Sequence, residues 1–575
     1  MSVFSGRHGI FSGRRFDPIR LGLTRPTGGG WVFPGAVGHL DFKRGRYHGG
    51  VPATSRSSPQ QVVDSAGVYS SVGPNILPRS DLGVVPEGAG TNAIRNPRMV
   101  GAAFDTTELV PDGNFSSQGA WATANAAGSG GATISGGALT ISGDGTNTSA
   151  ASRSIETIIG RTYLLALDVA GNTVNLSVGS AQGSSNLFAG NIAAAGSGTP
   201  NTVTFTASTT TTWIRLARAG IAPATVDNVS VQWQGTLPTY WSIGNLPAGV
   251  TWQVVGLPTQ SGLPAIDLRW RGVAGAAGTP QVRFDVPDGI AAAQNQVRTL
   301  SAFYSIIGGT QNGVSNFRLV YDEYGAGPAY ITGDSSPFVP SATWGRYSYT
   351  RTLSGVGTAF ARSDVQFSVT SGAAVDITTR VGPPQEELSA RMTSPMLPAP
   401  GIIGNGSTTN GQRDASLIDF ALPGAPYAGD LTAIFVARRP LVASPGQTLG
   451  QLRNPAVTDL FTVREGSTNT VLLAITTNGS GQALTFPSTP PPPPGARFCF
   501  AVSLTGAGGQ AISRDGGAPV SATTDRDPGG FDVLRIGSSL GNGTSFWGAE
   551  IEEVIVVPTA LAGAALQAVS NRAGA

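Results

Sequence analysis

The sequence predicts an all-β protein in which an extended N-terminal arm precedes tandem antiparallel β-sandwiches. Short runs of alternating apolar and polar residues recur along the chain, for example at 163–170, 202–208 and 316–323, and a period of two is typical of half-buried strands. The 575 residues include 80 Gly and 40 Pro, which separate these runs as turns between short strands require. Helical periodicity is nearly absent, and 559–572 is one of the few helix candidates.

Composition divides the chain into five segments. Residues 1–107 show little periodicity and many turn signals, which predicts an anchoring arm and a small adaptor. Residues 108–236 and 237–385 are rich in alternating runs, so each is predicted to form a β-sandwich. Residues 386–414 are rich in Pro, Gly, Ser and Asn, which is typical of a linker. Residues 415–575 again contain alternating runs and are predicted to form a third sandwich.

Basic residues concentrate in the N-terminal arm. The net charge is +2, but residues 1–60 hold nine basic residues against Asp17 and Asp41. The arginines alternate with aromatic residues, and a tail that binds a polyelectrolyte is usually denser in charge and poorer in apolar anchors. We therefore expect docking on an acidic protein surface rather than on nucleic acid. The expected anchoring residues are Phe4, Arg7, Phe11, Arg14, Arg15, Phe16 and Trp31.

The rare residue types exclude several kinds of active site. The chain has a single cysteine, Cys499, a single lysine, Lys43, and three histidines, His8, His39 and His48. These numbers exclude an internal disulfide and a zinc site made of Cys and His. They also exclude a Ser-His-Asp centre in the last 500 residues, because the base is missing there. We expect Cys499 to be a small buried apolar residue.

The termini and the hydropathy bear on localisation. The sequence has no run of 18 apolar residues, so we expect no membrane span. The N-terminus lacks the apolar core of a signal peptide. We therefore expect the chain to be made without a signal peptide and to be retained in the cytoplasm or assembled there into something larger.

The segment 108–236 carries a recognisable set of residues. It opens with an Asp-Gly-Asn-Phe motif, continues with a tryptophan and an Ile-Ser-Gly-Gly strand, and closes with an Asp-Asn-Val-Ser-Val strand. The residues of this pattern are Gly113, Asn114, Phe115, Trp121, Asp227, Asn228 and Val229. The pattern resembles the galactose-binding-like jelly rolls of carbohydrate-binding modules. The resemblance implies a jelly roll that is able to bind sugars.

Two further resemblances concern the rest of the chain. The pair Thr91-Asn92 and the later run from Gln385 to Thr393-Ser394-Pro395 resemble the framework of bacteriophage and gene-transfer-agent fibre proteins. That framework implies a second jelly roll over 237–385. The segment 546–570 combines a glycine after an aromatic residue, an alternating strand, a proline and a short helix. It resembles the end of concanavalin-A-like (laminin-G-like) sandwiches and implies this fold for 415–575.

These resemblances imply a virion structural protein, a fibre or spike of a phage or phage-like particle. Residues 1–107 would contact other virion proteins, and the sandwiches would bind host surface polysaccharide. We expect a homo-oligomer, with a trimer favoured because fibres are commonly trimeric. Two alternatives stay open at this point: a structural adaptor or decoration protein without receptor binding, and a polysaccharide depolymerase.

Pairs of acidic residues are the remaining route to catalysis. Hydrolysis of a glycoside needs two carboxylates that face one cleft. The adjacent pairs Glu386/Glu387, Asp322/Glu323 and Glu552/Glu553 cannot supply them, because neighbours in a strand point to opposite faces. The sequence therefore predicts that the protein is not an enzyme and indicates no catalytic residue.

Aromatic residues in loops are the candidates for sugar contact, because an aromatic ring packs on the apolar face of a sugar. Trp121 follows a stretch of small residues, and Tyr240 and Trp241 also fall in a predicted loop. Asn542 is a candidate by analogy, in a tip loop of the third sandwich. Three tryptophans that lie in predicted strands are expected in the core: Trp213, Trp233 and Trp270. No cofactor is expected, and structural calcium at Asp112, Asp144 or Asp227 stays open.

Overall fold

The protein is described by a computed structural model. It describes residues 32–33, 35–195, 200–327, 329–404, 412–413, 415–427, 430–440, 447–454, 460–465, 471–477, 480–486, 492–493, 495–505, 509–523, 530–538 and 546–571. These residues form two compact units. The terminal unit comprises the chain up to residue 90, residues 393–395 and residues from 413 onwards, and the central unit comprises 91–392 and 396–412.

Nearly all elements are strands. The N-terminal part contains β1 Gly38–Asp41, β2 Arg46–His48, β3 Ala53–Ser55, β4 Gln60–Val63, β5 Tyr69–Val72, β6 Arg79–Ser80, β7 Gly83–Val84 and β8 Gly90–Thr91. The next part contains β9 Ala122–Ala124, β10 Gly131–Ser135, β11 Ala138–Ser142, β12 Ser149–Glu156, β13 Thr162–Ala170, β14 Val174–Gly179, β15 Phe188–Ile192, β16 Asn201–Thr206, β17 Thr211–Arg218 and β18 Ala224–Trp233.

The remaining elements follow in chain order. They begin with β19 Ser242–Gly244, β20 Val250–Gly256, β21 Thr259–Gln260, β22 Leu263–Pro264, β23 Ile266–Val273, β24 Gln281–Phe284, β25 Ile290–Ala291, β26 Val297–Thr310, β27 Val314–Tyr324, β28 Tyr330–Pro337, β29 Gly345–Thr352, β30 Phe360–Val369, β31 Ala374–Val381 and β32 Gln385–Glu387. They end with β33 Gln412–Arg413, β34 Leu417–Ala421, β35 Leu431–Arg438, β36 Thr448–Arg453, β37 Leu460–Glu465, β38 Val471–Thr477, β39 Ser480–Phe486, β40 Arg497–Leu504, β41 Gly509–Arg514, β42 Val520–Thr523, β43 Val533–Ile536, β44 Ile551–Val557 and the helix α1 Gly563–Ser570.

The first sandwich of the central unit consists of two antiparallel sheets. Sheet 1a has the strand order β10-β11-β18-β13-β16, and sheet 1b has the order β15-β14-β17-β12-β9. Alternation along the strands directs one set of side chains between the sheets. Leu165 and Val169 of β13 and Ile214 and Leu216 of β17 are fully buried there. The all-β class and the sandwich architecture predicted from the alternating runs are confirmed.

The second sandwich has the same layering. Sheet 2a follows the order β20-β23-β31-β26-β29, with β32 beside β26, and sheet 2b follows the order β19-β24-β30-β27-β28, with β25 beside β30. Its core holds Trp270 and Phe367, whose rings meet edge to face with centroids 5.1 Å apart. The N-terminal residues Ile94 and Met99 complete this core.

Two ion pairs lie inside the second sandwich. Arg298 contacts Glu386 with Nη1 and Oε1 2.6 Å apart, and Arg351 contacts Glu323 with Nη2 and Oε1 2.7 Å apart. Both glutamates are inaccessible to solvent.

The structure differs from the expected linker at 386–414, because Glu386 belongs to a buried strand that pairs with β26.

The terminal unit contains the third sandwich, and its sheets recruit N-terminal strands. Sheet 3a contains β2-β1-β44-β35-β40-β41-β42, and sheet 3b contains β3-β34-β43-β36-β37-β38-β39. The composition predicts a separate N-terminal segment that ends at residue 107. The structure instead pairs Gly38–Asp41 with Ile551–Val557, and Ala53–Ser55 with Leu417–Ala421.

Burial and an ion pair explain why the N-terminal strands join this sandwich. Leu40 and Phe42 are buried in its core, and Nε2 of His39 lies 2.6 Å from Oε1 of Glu553. The strands are too short and too distant in sequence from their partners for local patterns to reveal the pairing. Cys499 is fully buried as expected, under Val569 of α1. Within the described ranges, no helix has the length and hydropathy to cross a membrane.

Candidate functional site

The outward side of sheet 1b carries a set of side chains that no core contact explains. Ile214 and Leu216 of β17 face the core, so the alternating residues Trp213, Arg215 and Ala217 face outward. We call this surface the first outer face. It is defined by Trp213, Arg215, Ala217, Ala150, Ser152, Ser154, Asn175, Ser177 and Gly179, all placed on it by strand register.

Trp213 has small neighbours on both sides. Gly179 of β14 and Ser154 of β12 lie directly opposite it in the two adjacent strands. Neither neighbour has a side chain large enough to cover the indole, and Trp213 is only half-buried. Ser184 of the following loop fills the space that a Cβ on Gly179 would need. A glycine is therefore required there, and the loop forms a polar wall beside the indole.

Arg215 lies two residues along the same strand and shares the face. Its direct neighbours across the sheet are Ser177 of β14 and Ser152 of β12. Both are uncharged, so the guanidinium has no opposing charge at these positions. Hydroxyl groups can donate and accept hydrogen bonds, whereas guanidinium only donates. Arg215, Ser177 and Ser152 together therefore offer hydrogen-bond donors and acceptors to a polar ligand.

Two small residues of the first outer face are shielded from solvent. Ala150 and Ala217 lie opposite each other and are only 4% and 1% exposed, although both point away from the core. Asn175 lies next to Ala217 in β14 and is exposed. The two alanines are thus covered by their neighbours. The residues of the face that solvent reaches are Trp213, Arg215, Ser154, Ser177 and Asn175.

The chemistry of the first outer face suits a saccharide. An indole with an accessible ring packs against the apolar C–H face of a pyranose. Serine hydroxyls, the Asn175 amide and the Arg215 guanidinium complement sugar hydroxyls. The wall loop is itself polar, since the Ser184 hydroxyl donates to Oδ1 of Asn186 at 3.0 Å.

Trp121, the leading sequence candidate, lies in the core of the first sandwich instead. It is 2% exposed and packs on Phe115, with ring centroids 5.2 Å apart. The guanidinium carbon of Arg153 lies 5.6 Å from the ring centroid, and Arg153 in turn pairs with Asp112. The small residues around Trp121 allow the chain to turn inward, and the ring presents no face to a ligand. This expectation is corrected.

Tyr240 and Trp241 also have structural partners. Trp241 is 6% exposed, and its Nε1 donates to the carbonyl oxygen of Asn96 at 3.2 Å. Tyr240 is half-buried, and the guanidinium carbon of Arg95 lies 3.8 Å from its ring centroid. Trp241 therefore packs in the second sandwich, and one face of the Tyr240 ring is occupied by Arg95.

The remaining predicted site residues fall elsewhere. Asn542 and the seven anchoring residues Phe4, Arg7, Phe11, Arg14, Arg15, Phe16 and Trp31 lie outside the described residues. Of the three aspartates considered for calcium, Asp112 accepts from Arg153, and Asp144 accepts from the backbone N–H of Thr146 at 2.9 Å. Among the residues with described positions, no group of three or more His, Cys, Asp or Glu could hold a metal ion.

The acidic pair Asp322/Glu323 lies as the alternation rule requires. Glu323 points into the core, whereas Asp322 points outward and is half-buried. At Glu323 the hydrogen bonds affect the pKa more than burial does. Burial alone would raise its pKa, but the Thr358 hydroxyl, the Gly355 and Ser354 N–H groups and Arg351 lower it. A carboxylate held in this way serves the fold.

Trp213 contradicts the expectation of core packing, and the sequence holds the signal that places it outward. Residues 211–216 alternate, and Ile214 and Leu216 form the apolar set. Trp213 shares its parity with Arg215 rather than with that set, which places it on the other face. The expectation for Trp270 is confirmed, since it is fully buried, and Trp233 is half-buried against the core of the first sandwich.

Comparison with known proteins returned structural neighbours only. No protein-family profile matches the chain, and no curated protein matches it. The N-terminal CBM22-1-CBM22-2 tandem domain of Paenibacillus barcinonensis Xyn10C is 12% identical, with a TM-score of 0.20 over 51% of this chain and 100% of that one. The structural neighbours thus include jelly-roll domains of carbohydrate-binding modules.

Phage fibre and spike proteins are also among the neighbours. The tail fiber protein gp63.1 from a phage of E. coli is 11% identical, with a TM-score of 0.17 over 56% of this chain and 40% of that one. The enzymatically active domain of bacteriophage CBA120 tailspike protein 4 is 9% identical, with a TM-score of 0.20 over 26% and 19%. The present chain thus spans less than half of either phage protein. Similarity at this level carries no argument about activity.

Proposed function

We propose that this chain is a glycan-binding structural protein of a phage or phage-like particle, with the first outer face as a glycan contact. The observation that carries the binding part is Trp213, half-buried between Gly179 and Ser154 and next to Arg215 on an open sheet. Nothing in the core requires an indole at this position. A partly exposed indole beside hydroxyl and guanidinium groups suits a saccharide better than a small apolar molecule.

The virion part of the proposal draws on the fibre-like residues of the sequence. Within this proposal, residues before β1 anchor the chain to other virion proteins, and a homo-oligomer displays several copies of the first outer face. Many weak contacts then act together, because linking binding sites raises the effective concentration of each. A purely structural adaptor would keep the sandwiches and lose nothing when Trp213 is replaced.

The test is glycan binding by the full chain, in wild type and in Trp213→Ala. We expect the wild type to bind a subset of bacterial surface polysaccharides on an array, and Trp213→Ala to lose this binding while its melting temperature is retained. Phe104→Ala is a matched control, because Phe104 is 43% exposed and lies outside the first outer face. Equal binding by wild type and Trp213→Ala would exclude this face as the contact.

Point variants are preferable to truncation here. Removing 415–575 would remove the strands that pair with β1 and β3, so lost binding could reflect unfolding of the terminal unit. Incubation of purified host polysaccharide with the protein, followed by detection of new reducing ends, tests the depolymerase alternative. Release of reducing ends by the full chain would show that the protein is an enzyme.

A further inference from the structure

The outward side of sheet 2b carries a charged cluster that the first outer face does not involve. In β30, Ser363 and Val365 face the core, so Asp364 faces outward. Its direct neighbours across the sheet are Arg283 of β24 and Val320 of β27. We call this surface the second outer face. It is defined by Arg283, Arg318, Val320, Asp322, Tyr330, Gly333, Arg362 and Asp364.

Three arginines of this face hydrogen-bond to neutral oxygen atoms. Nε of Arg283 donates to Oε1 of Gln281 at 2.8 Å, and Nη1 of Arg318 donates to Oγ of Ser335 at 2.8 Å. Nη2 of Arg362 donates to the carbonyl oxygen of Pro287 at 2.8 Å.

These contacts fix the guanidiniums without neutralising them. The buried Nε of Arg362 has no hydrogen-bond partner. Arg362 is also placed by a ring, since its guanidinium carbon lies 4.3 Å from the ring centroid of Tyr324.

Asp364 is the second unusual feature. It is only 2% exposed, and its Oδ1 makes no hydrogen bond. A buried carboxyl oxygen without a partner is costly, and natural structures usually satisfy such atoms. Burial, together with the charge of Asp322, raises the pKa of Asp364 well above its ordinary value. In its protonated form Asp364 adds no negative charge, so the three guanidiniums outnumber Asp322.

The aromatic component is Tyr330, which is 60% exposed. Its ring meets Tyr324 edge to face, with centroids 5.8 Å apart. Gly333 lies beneath, and a Cβ there would come within 2.9 Å of the Tyr330 hydroxyl and would also collide with Asp322. The absence of a side chain at 333 thus brings a phenol and a carboxylate together over the sheet.

We propose that the second outer face binds an acidic saccharide of the uronate class. Arg283 and Arg362 contact the sugar carboxylate, Asp322 contacts hydroxyls, and Tyr330 packs on the ring. One ligand supplies all three chemistries: an anionic group, hydroxyls and an apolar face. A simple inorganic anion would leave Asp322 and Tyr330 unused, and a cation would face three guanidiniums. The proposal does not rest on Trp213, which lies in the other sandwich.

The probe is polygalacturonate, compared with its fully methyl-esterified form, which has the same backbone without the charge. We expect the wild type to bind the acid form at least about tenfold more tightly, since charge-assisted hydrogen bonds are the stronger kind. Arg362→Gln and Arg283→Gln should each weaken binding roughly tenfold or more. Tyr330→Ala should weaken it as well, and its exposed position makes a folding defect the least expected of the three.

Two control variants distinguish this site from general attraction of a polyanion and from the first outer face. Arg44→Gln removes one positive charge at a side chain that is 64% exposed in the terminal unit, outside both outer faces, so general attraction of a polyanion would respond to it as it does to Arg362→Gln. Trp213→Ala is measured in parallel, because a loss of polygalacturonate binding in Trp213→Ala but not in Arg362→Gln would place the contact on the first outer face. Alginate and hyaluronan cover other uronate stereochemistries.

Several outcomes would overturn the proposal. Equal binding of the acid and the ester would show that charge is not recognised. Wild-type binding by both arginine variants, with unchanged melting temperatures, would place the contact elsewhere. Failure of the wild type to bind polygalacturonate, alginate and hyaluronan at low salt would refute the uronate class.

Discussion

Replacement of Trp213 by alanine separates the two roles that a tryptophan can play in the first sandwich. Trp213 lies on the outer face between Gly179 and Ser154, whereas Trp121 is 2% exposed in the core. The two residues belong to one sandwich. If the outer face is a glycan contact, Trp213→Ala weakens binding and preserves the fold. Trp121→Ala is expected to destabilise the fold without removing a glycan contact.

The expected loss of affinity follows from the area of the ring. A tryptophan buries roughly 150–250 Å² when fully enclosed, and one sugar on one ring face covers about a third of that, or about 60 Å². At about 25 cal/mol per Å² this area contributes about 1.5 kcal/mol to the binding free energy, so its loss corresponds to about a tenfold larger dissociation constant. Oligomeric display enlarges the effect, because each copy contributes to the avidity.

The expected effect on stability differs between the two variants. Replacing a fully buried aromatic residue by alanine costs about 3–5 kcal/mol, so Trp121→Ala should greatly lower the urea midpoint of the central unit. Replacing a half-buried residue outside the core usually costs much less. Urea titration followed by tryptophan fluorescence measures both values, and isothermal titration with a glycan bound by the wild type measures affinity.

One pattern of results would refute the reasoning. If Trp213→Ala destabilises the chain as strongly as Trp121→Ala does, then the indole is packed against a partner, and the outer face is not open. If Trp213→Ala is stable and binds normally, the first outer face is not the glycan contact. Only a stable variant with weakened binding agrees with the structure.

Three further predictions concern buried groups. Glu323→Gln should destabilise the protein at pH 7, because the pKa of Glu323 is lower in the folded chain than its unfolded value of about 4.3. The Glu323 carboxylate therefore stabilises the fold above that value. This stability is lost as pH falls through the folded pKa, so the stability difference between wild type and variant should vanish at low pH. Asp364→Asn should stabilise the protein at pH 8 and not at pH 4. The pKa of Asp364 is raised in the folded chain, so the stability that its protonated form contributes below about pH 4 is lost as pH rises through the folded pKa. Chemical denaturation across this pH range checks both. Cys499 is inaccessible, so a thiol reagent should label it only as the terminal unit unfolds.

Local alternation is sufficient to predict the fold class. Runs such as Thr162–Ala170 and Phe360–Val369 alternate, and both form central strands of sandwiches. Long-range pairing is not predictable in the same way. The strand Gly38–Asp41 is four residues long, and its partner begins at Ile551. Nothing in the intervening sequence states that these two segments meet, because register between distant strands depends on the packing of the whole core.

The candidate site is harder to predict than the fold, and the reason is physical. Trp121 stands among small polar residues, which suggests exposure, yet a small-residue turn is also what lets a chain bring an indole into a core. Trp213 stands in a strand, which suggests burial, yet a strand has two faces. Exposure in a sandwich depends on parity relative to the core-facing set and on the neighbours across the sheet. Parity can be read from Ile214 and Leu216, but the neighbours across the sheet cannot be known before the strands are paired.

The same reasoning explains why local patterns do not reveal the charged cluster on sheet 2b. In sequence, Arg283, Asp322 and Asp364 lie about forty residues apart, each surrounded by ordinary strand residues. Register places Arg283 opposite Asp364 and brings Asp322 to the adjacent row of the same face. A carboxyl group is then buried by its own neighbours, without a partner for one oxygen. The cost of that unsatisfied oxygen arises only once the strands are paired, so it is visible in the structure and not in the sequence around Asp364.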